Sequence, residues 1–135
     1  MEIAQVREWE GELFKRAELL PESRREAWLD NEHWLVPEFW DPVTDDAWAC
    51  SQTYAILSGS RKILVDTGIG NGKPRPMVPT WDQLDTDFLQ NLSDAGFAPE
   101  SVDIVICTHL HLDHIGWNTT LHEGWPYRNA CKQVQ

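Results

Sequence analysis

Residues 108–118 read THLHLDHIGWN. His109, His111, Asp113 and His114 stand within six positions there. Imidazole and carboxylate together suit zinc, with iron or manganese as alternatives. A lone histidine near a strand end is usually structural, but H-x-H-x-D-H order is hard to reach by accident. In extended backbone, alternate residues point the same way. His109, His111 and Asp113 can therefore face one cavity, and His114 joins them only where the backbone turns. Gly116 permits such a turn. One ion rarely takes four ligands from six consecutive residues, because the side chains diverge. Two neighbouring ions would use them more naturally, His109 and His111 holding one and Asp113 and His114 the other. Such a pair can bridge a hydroxide and polarise a carbonyl or phosphoryl oxygen.

Something rigid must anchor these side chains. The stretch PESVDIVICTH carries an apolar run from Val102 to Cys107, the pattern of a strand buried on both faces. Upstream, residues 48–58 and KILVD read as a hairpin closed by Ser58-Gly59-Ser60. The loop GIGNGKPRP follows and matches no phosphate-cradling pattern. Leu84, Phe88, Leu92 and Ala95 then share a helical face, with Gly96 as its C-cap. Functional side chains in layered α/β architectures collect outside strand ends, where both KILVD and DIVICTH stop. Nearer the N-terminus, residues 3–8 alternate as an edge or half-buried strand does, and residues 14–21 look irregular. A helix is expected to start near Pro21 and Ser23, and HWLVPEFWDPVTDD reads as a long loop.

The bulk numbers suit one domain of 135 residues, 41% hydrophobic and 24% charged. A net charge of −11 argues against nucleic acid and against an anionic membrane surface as partners. No apolar run reaches the length of a membrane span. Cys50, Cys107 and Cys131 are odd in number and widely spaced, which fits free thiols in the cytoplasm. The eight tryptophans read as core and loop packing, with a pocket-lining role open to one or two. His33 reads as a surface or packing residue, and Cys107 as a small core residue.

THLHLDH resembles the H-x-H-x-D-H signature of the metallo-β-lactamase superfamily. ILVDTGIG resembles that superfamily's upstream strand and turn. The run from LVDTGIGNGKPRP to THLHLDHIGWNT is similar to the subgroup near the acyl-homoserine-lactone lactonases and organophosphate hydrolases. The likeness covers the N-terminal half of that domain, roughly residues 3–125. It implies an α/β (α+β) fold, half of an αββα sandwich: a mixed sheet with flanking helices. It implies a dinuclear, usually zinc, site with His109 and His111 as ligands of the first metal, and Asp113 and His114 of the second. Asp113 would also assist proton transfer. Asp66 would stand behind the metal histidines and orient a ligand ring, or be a plain turn residue of Asp-Thr-Gly. Thr108 would hydrogen-bond beside it, or simply cap the strand end. The implied activity is hydrolysis, a metal-bound hydroxide attacking a small-molecule lactone, ester or phosphoester.

The family's remaining ligands lie further along its chain. After His114 stand 21 residues, with His122 and Glu123 their only histidine and acid. His122 comes too soon to replace the family's next ligand. The tail EGWPYRNACKQVQ shows no apolar periodicity. The chain thus reads as a single truncated domain over residues 1–135. A homodimer of two such halves is one way to complete the sandwich. The alternative function is a non-catalytic fragment that keeps half the metal site, as a weak metal binder or interaction module.

Overall fold

The computed structural model describes residues 1–122 and 125–129. The chain forms two compact units, one of residues 1–9 with the chain from residue 51 onward, the other of residues 10–50. Four strands, β1 (Glu2–Lys15), β2 (Asp46–Ser58), β3 (Arg61–Val65) and β4 (Ile104–Ile106), form a sheet in the order β1-β2-β3-β4. The β2–β3 pair is antiparallel and the β3–β4 pair parallel, so the sheet is mixed. The hairpin matches its sequence pattern: Ser58 pairs with Arg61 across Gly59-Ser60, and Gly59 takes φ 62°, where a side chain would be strained.

Helix α4 (Phe88–Asp94; α1–α3 belong to the 10–50 unit) lies in the crossover between β3 and β4. It is shorter than the apolar pattern suggested. Leu84 stays outside it because its carbonyl accepts from Gly72 N–H, while Thr86 N–H and O–H both bond the Asn71 side chain. Phe88 and Leu92 are buried as expected, and Gly96 follows the helix at φ 87°. Their core partners are Val6, Ala55, Leu64, Phe97, Val102 and Trp117. The indole of Trp117 stacks on Phe88 with ring centroids 5.6 Å apart.

The strand expected from Val102 to Cys107 is only three residues long, and it is not buried on both faces. It ends the sheet order, and Ile106 is 47% exposed. Two further strands, β5 (Thr119–His122) and β6 (Trp125–Asn129), pair antiparallel.

The unit of residues 10–50 contains three short helices, α1 (Arg16–Leu19), α2 (Arg25–Leu29) and α3 (Glu32–Leu35). Of residues 14–21, expected to be irregular, 14–19 end β1 and form α1 while 20 and 21 are bend and turn, and part of the expected long loop is helical, with His33 exposed on α3. Asp45 is the polar hub here. Its Oδ1 accepts from Arg16 Nε at 3.2 Å, Arg25 Nη1 at 2.8 Å and the fully buried Trp40 Nε1 at 3.0 Å. Burial pushes its carboxyl up, but the Trp40 and Arg16 bonds outweigh this and hold it below the ordinary aspartate value.

Candidate metal centre

The segment 107–115 leaves the end of β4 as bends and a turn, not as extended backbone. Strand alternation therefore does not align His109, His111 and Asp113. The backbone turns between His111 and His114, with His114 N–H donating to the His111 carbonyl at 3.1 Å. That turn brings His114 into the group. The His109 ring centroid lies 4.4 Å from that of His111 and 3.9 Å from that of His114. The Nε2 atom of His114 is 3.2 Å from Asp113 Oδ2. His109 and His111 are exposed, and Asp113 and His114 half-buried.

Asp66 organises this turn from the end of β3. Its Oδ1 accepts from Thr108 N–H at 2.7 Å, and the Thr108 hydroxyl lies 2.7 Å from Oδ2 and 3.0 Å from Oδ1. Its Oδ2 is 2.8 Å from His114 Nδ1. Burial pushes the Asp66 carboxyl up, but the bonds from His114 and Thr108 more than offset it, so the net shift is downward. An ionised Asp66 accepts Nδ1–H, and in the neutral ring with that tautomer the Nε2 lone pair lies on the Asp113 side.

The backbone laces the same two segments together. Thr67 N–H donates to the His114 carbonyl at 2.8 Å, Gly116 N–H to Gly68 at 2.6 Å and Trp117 N–H to Thr67 at 2.8 Å. This contact is so close that a Cβ on Gly116 would lie 1.9 Å from the Ile69 carbonyl carbon. Gly116 is required for that approach rather than for a left-handed turn.

The donor types fit a transition metal. Two donors in a tetrahedral zinc shell, each about 2.1 Å from the ion, lie about 3.4 Å from one another. The 3.2 Å between His114 Nε2 and Asp113 Oδ2 is close to that spacing. Among the described residues, however, no three His, Cys, Asp or Glu side chains converge as one ion's shell requires. The cluster is suited to part of a site.

A model of the metallo-beta-lactamase superfamily matches residues 48–134. The chain belongs to that superfamily. A ribonuclease of Thermus thermophilus is 35% identical over 63 residues, 47% of this chain and 12% of its own length. Among solved structures, a probable metal-dependent hydrolase from Staphylococcus aureus superposes with a TM-score of 0.68 at 16% identity, over 88% of this chain and 41% of that one. AidC, a dizinc quorum-quenching lactonase solved with the product N-hexnoyl-L-homoserine, gives 0.57 at 18% identity, over 84% and 34%. The superpositions establish a shared metallo-β-lactamase fold, and this chain spans less than half the length of each of these relatives.

Within that fold the structure brings Asp66, Thr108, His109, His111, Asp113 and His114 together. It leaves His33 in the other unit, and Cys107 half-buried just past β4, where Asn118 Nδ2 approaches its sulfur at 3.3 Å. The His122 side chain, Glu123 and Cys131 lie outside the described residues. One residue that sequence reasoning passed over is Glu8. It is buried on β1, and its carboxylate accepts from Ile69 N–H, Gly70 N–H, Trp117 Nε1–H and the Ser51 hydroxyl. The signal was its parity, since Val6 and Ala4, two and four positions earlier, both pack into the core. An acid in that series has an inward-facing side chain that needs partners. A cavity of about 540 Å³ borders Asn71, Gln83, Asp85, Leu89, Trp117 and Thr120, and its lining includes none of the clustered histidines.

Proposed function

We propose that this chain supplies part of the dinuclear centre of a metal-dependent hydrolase acting on a small-molecule lactone or ester. His109 and His111 would hold one ion, Asp113 and His114 the other, with zinc preferred and iron or manganese as alternatives. The observation that carries the reading is the gathering of three imidazoles at 3.9 and 4.4 Å with Asp113 Oδ2 3.2 Å from His114 Nε2. When bound, the metal supplies Lewis acidity and brings the pKa of a bound water toward neutrality.

The chain's own residues do the rest. Asp66 fixes the His114 ring and its tautomer. Thr108 donates to Asp66 and holds that carboxylate in place. Asp113, half-buried and beside the ring, orients the attacking water and takes its proton. The lactone preference is supported by the product-bound lactonase among the structural relatives. A phosphodiester is the competing substrate class, suggested by the ribonuclease relative. A net charge of −11 weighs against a nucleic-acid backbone. A cytoplasmic setting, supported by the unclustered cysteines, completes the reading.

A second reading has its own support. The described residues form no closed metal shell, and the chain covers 34–41% of the solved hydrolase and lactonase. A weak metal-binding or interaction module would look the same, unless a second copy completes the site. Metal content by elemental analysis on separated monomer and dimer, with lactone hydrolysis before and after His109→Ala, decides between them. Metal held by the wild-type chain, with both metal content and hydrolysis reduced in His109→Ala, supports the hydrolase. Hydrolysis retained in that variant refutes the metal mechanism.

A further inference from the structure

A carboxylate inside a protein core is costly unless its oxygens are hydrogen-bonded. Glu8 is 8% exposed, and each of its oxygens accepts two bonds from neutral donors. Oε1 accepts from Gly70 N–H at 2.8 Å and Trp117 Nε1–H at 2.6 Å. Oε2 accepts from Ile69 N–H at 2.5 Å and the Ser51 hydroxyl at 3.2 Å. Burial still raises the Glu8 carboxyl above its ordinary value, with the bonds from Ile69, Gly70, Trp117 and Ser51 opposing that rise. An apolar residue would avoid this cost, but it would leave two buried backbone N–H groups and an indole N–H without this acceptor.

The donors share a location. Ile69 and Gly70 follow Asp66 in the loop after β3, and Trp117 follows His114 by three residues. Ser51 also reaches toward the metal turn, its hydroxyl 3.5 Å from the Asp113 carbonyl. The fit is close: a Cβ on Gly68 would lie 2.1 Å from Glu8 Oε2. Asp66 thus ties the two segments at the ligand end, the backbone pairs run along them, and Glu8 ties them at the buried end.

We propose that Glu8 is a positioning residue for the metal centre, clamping the 66–70 loop to Trp117 so that Asp66 meets His114 Nδ1 and leaves Nε2 free as a ligand. The role of His114 as a ligand rests on the function proposed above, but the clamp has a readout that needs no metal. In ¹⁵N-labelled, metal-free chain at about pH 8, above the ordinary histidine value of about 6.5, long-range proton–nitrogen spectra report the His114 tautomer. Wild type is expected to hold the Nδ1–H form. Glu8→Gln places an amide N–H₂ against donors, and is expected to shift His114 toward a mixture of tautomers with far-UV circular dichroism unchanged. It should also weaken zinc binding about tenfold, the lower end for a lost supporting partner. Trp117→Phe removes one donor and keeps an aromatic ring against Phe88. It should shift the tautomer in the same direction by less, and it decides the matter if Glu8→Gln does not fold. A folded Glu8→Gln or Trp117→Phe chain with the wild-type tautomer overturns the clamp, even where wild type binds zinc. Wild type that holds Nδ1–H and loses it in these variants, yet binds no zinc, leaves the clamp standing and refutes the metal reading alone.

Discussion

Replacing Asp66 by asparagine isolates one carboxylate charge with little else changed. Asp66 sits at φ 57°, a left-handed conformation that Asp and Asn tolerate better than other side chains. The substitution therefore adds little backbone strain, whereas alanine there would. Asparagine keeps one acceptor oxygen but turns an N–H₂ toward either Thr108 or His114, both of which approach as donors. The side chain of Asp66 is 13% exposed, so solvent screens the lost charge only in part. A hydrogen bond to a charged group contributes about 1.5–3 kcal/mol. Loss of a carboxylate that orients a metal-bound histidine typically costs about 10–100-fold in metal affinity, which is about 1.4–2.8 kcal/mol. The two ranges agree, so the His114 bond alone accounts for the expected loss. Zinc affinity measured by competition with a chromophoric chelator should fall by that factor in Asp66→Asn, with urea unfolding run in parallel to confirm a folded chain. A folded variant whose affinity stays within about twofold of wild type, well short of that range, refutes the reasoning. Asp66 would then be only a turn residue of Asp-Thr-Gly.

Other outcomes follow from the packing. Gly116→Ala should destabilise by about 3 kcal/mol or more, the upper end for overpacking, because the clash is with Ile69 backbone and not with a flexible side-chain end; the urea midpoint reads it, and an unchanged midpoint contradicts the close approach. Leu92→Ala, in the helix that covers the sheet, should cost about 2–5 kcal/mol in the same measurement. Burial raises the Glu8 carboxyl, so the folded chain holds that proton more tightly than the unfolded one. The stability this gives is fully present below the ordinary glutamate value of 4.5 and is lost as pH rises through the higher folded value, and Glu8→Gln should flatten that part of the stability–pH curve. Asp45 has the opposite sign: its contribution is present above 3.8 and lost as pH falls through its lowered folded value, which Trp40 fluorescence during acid unfolding should follow in wild type and miss in Asp45→Asn.

The clustering of the candidate residues was legible because metal-capable side chains stand side by side in the sequence. His109, His111, Asp113 and His114 stand close together in any conformation, and LVDTG announced a strand end. The hairpin was legible for a similar reason, since Gly59-Ser60 leaves its flanking strands little choice of register. Less legible was anything decided by tertiary partners. Leu84 carries helical periodicity but spends its carbonyl on Gly72, and so α4 begins later. Val102 to Cys107 looks like a fully buried strand, yet only Ile104–Ile106 pairs, and it does so at the end of the sheet order. The 107–115 segment carries a period of two without extended backbone, because a turn, not a pleat, gathers the rings.

That last difference explains why two motifs far apart in sequence act as one. A turn that exposes His109 and His111 has little to hold it from within: the His111–His114 bond is a single backbone contact. Its stiffness comes from the loop after β3. Three backbone bonds join Thr67 and Gly68 to residues 114–117. Those bonds need bare glycine at 116, and the carboxylate beneath them needs bare glycine at 68. Asp66 then reaches His114 from one end of the seam, and Glu8 fills the other. The glycines of DTGIG and HIGW are therefore not loop punctuation. They are the positions at which the two segments approach closely enough for Asp66 to set the His114 ring. A substitution at either glycine should reach the candidate metal site through that ring, although neither glycine is a ligand.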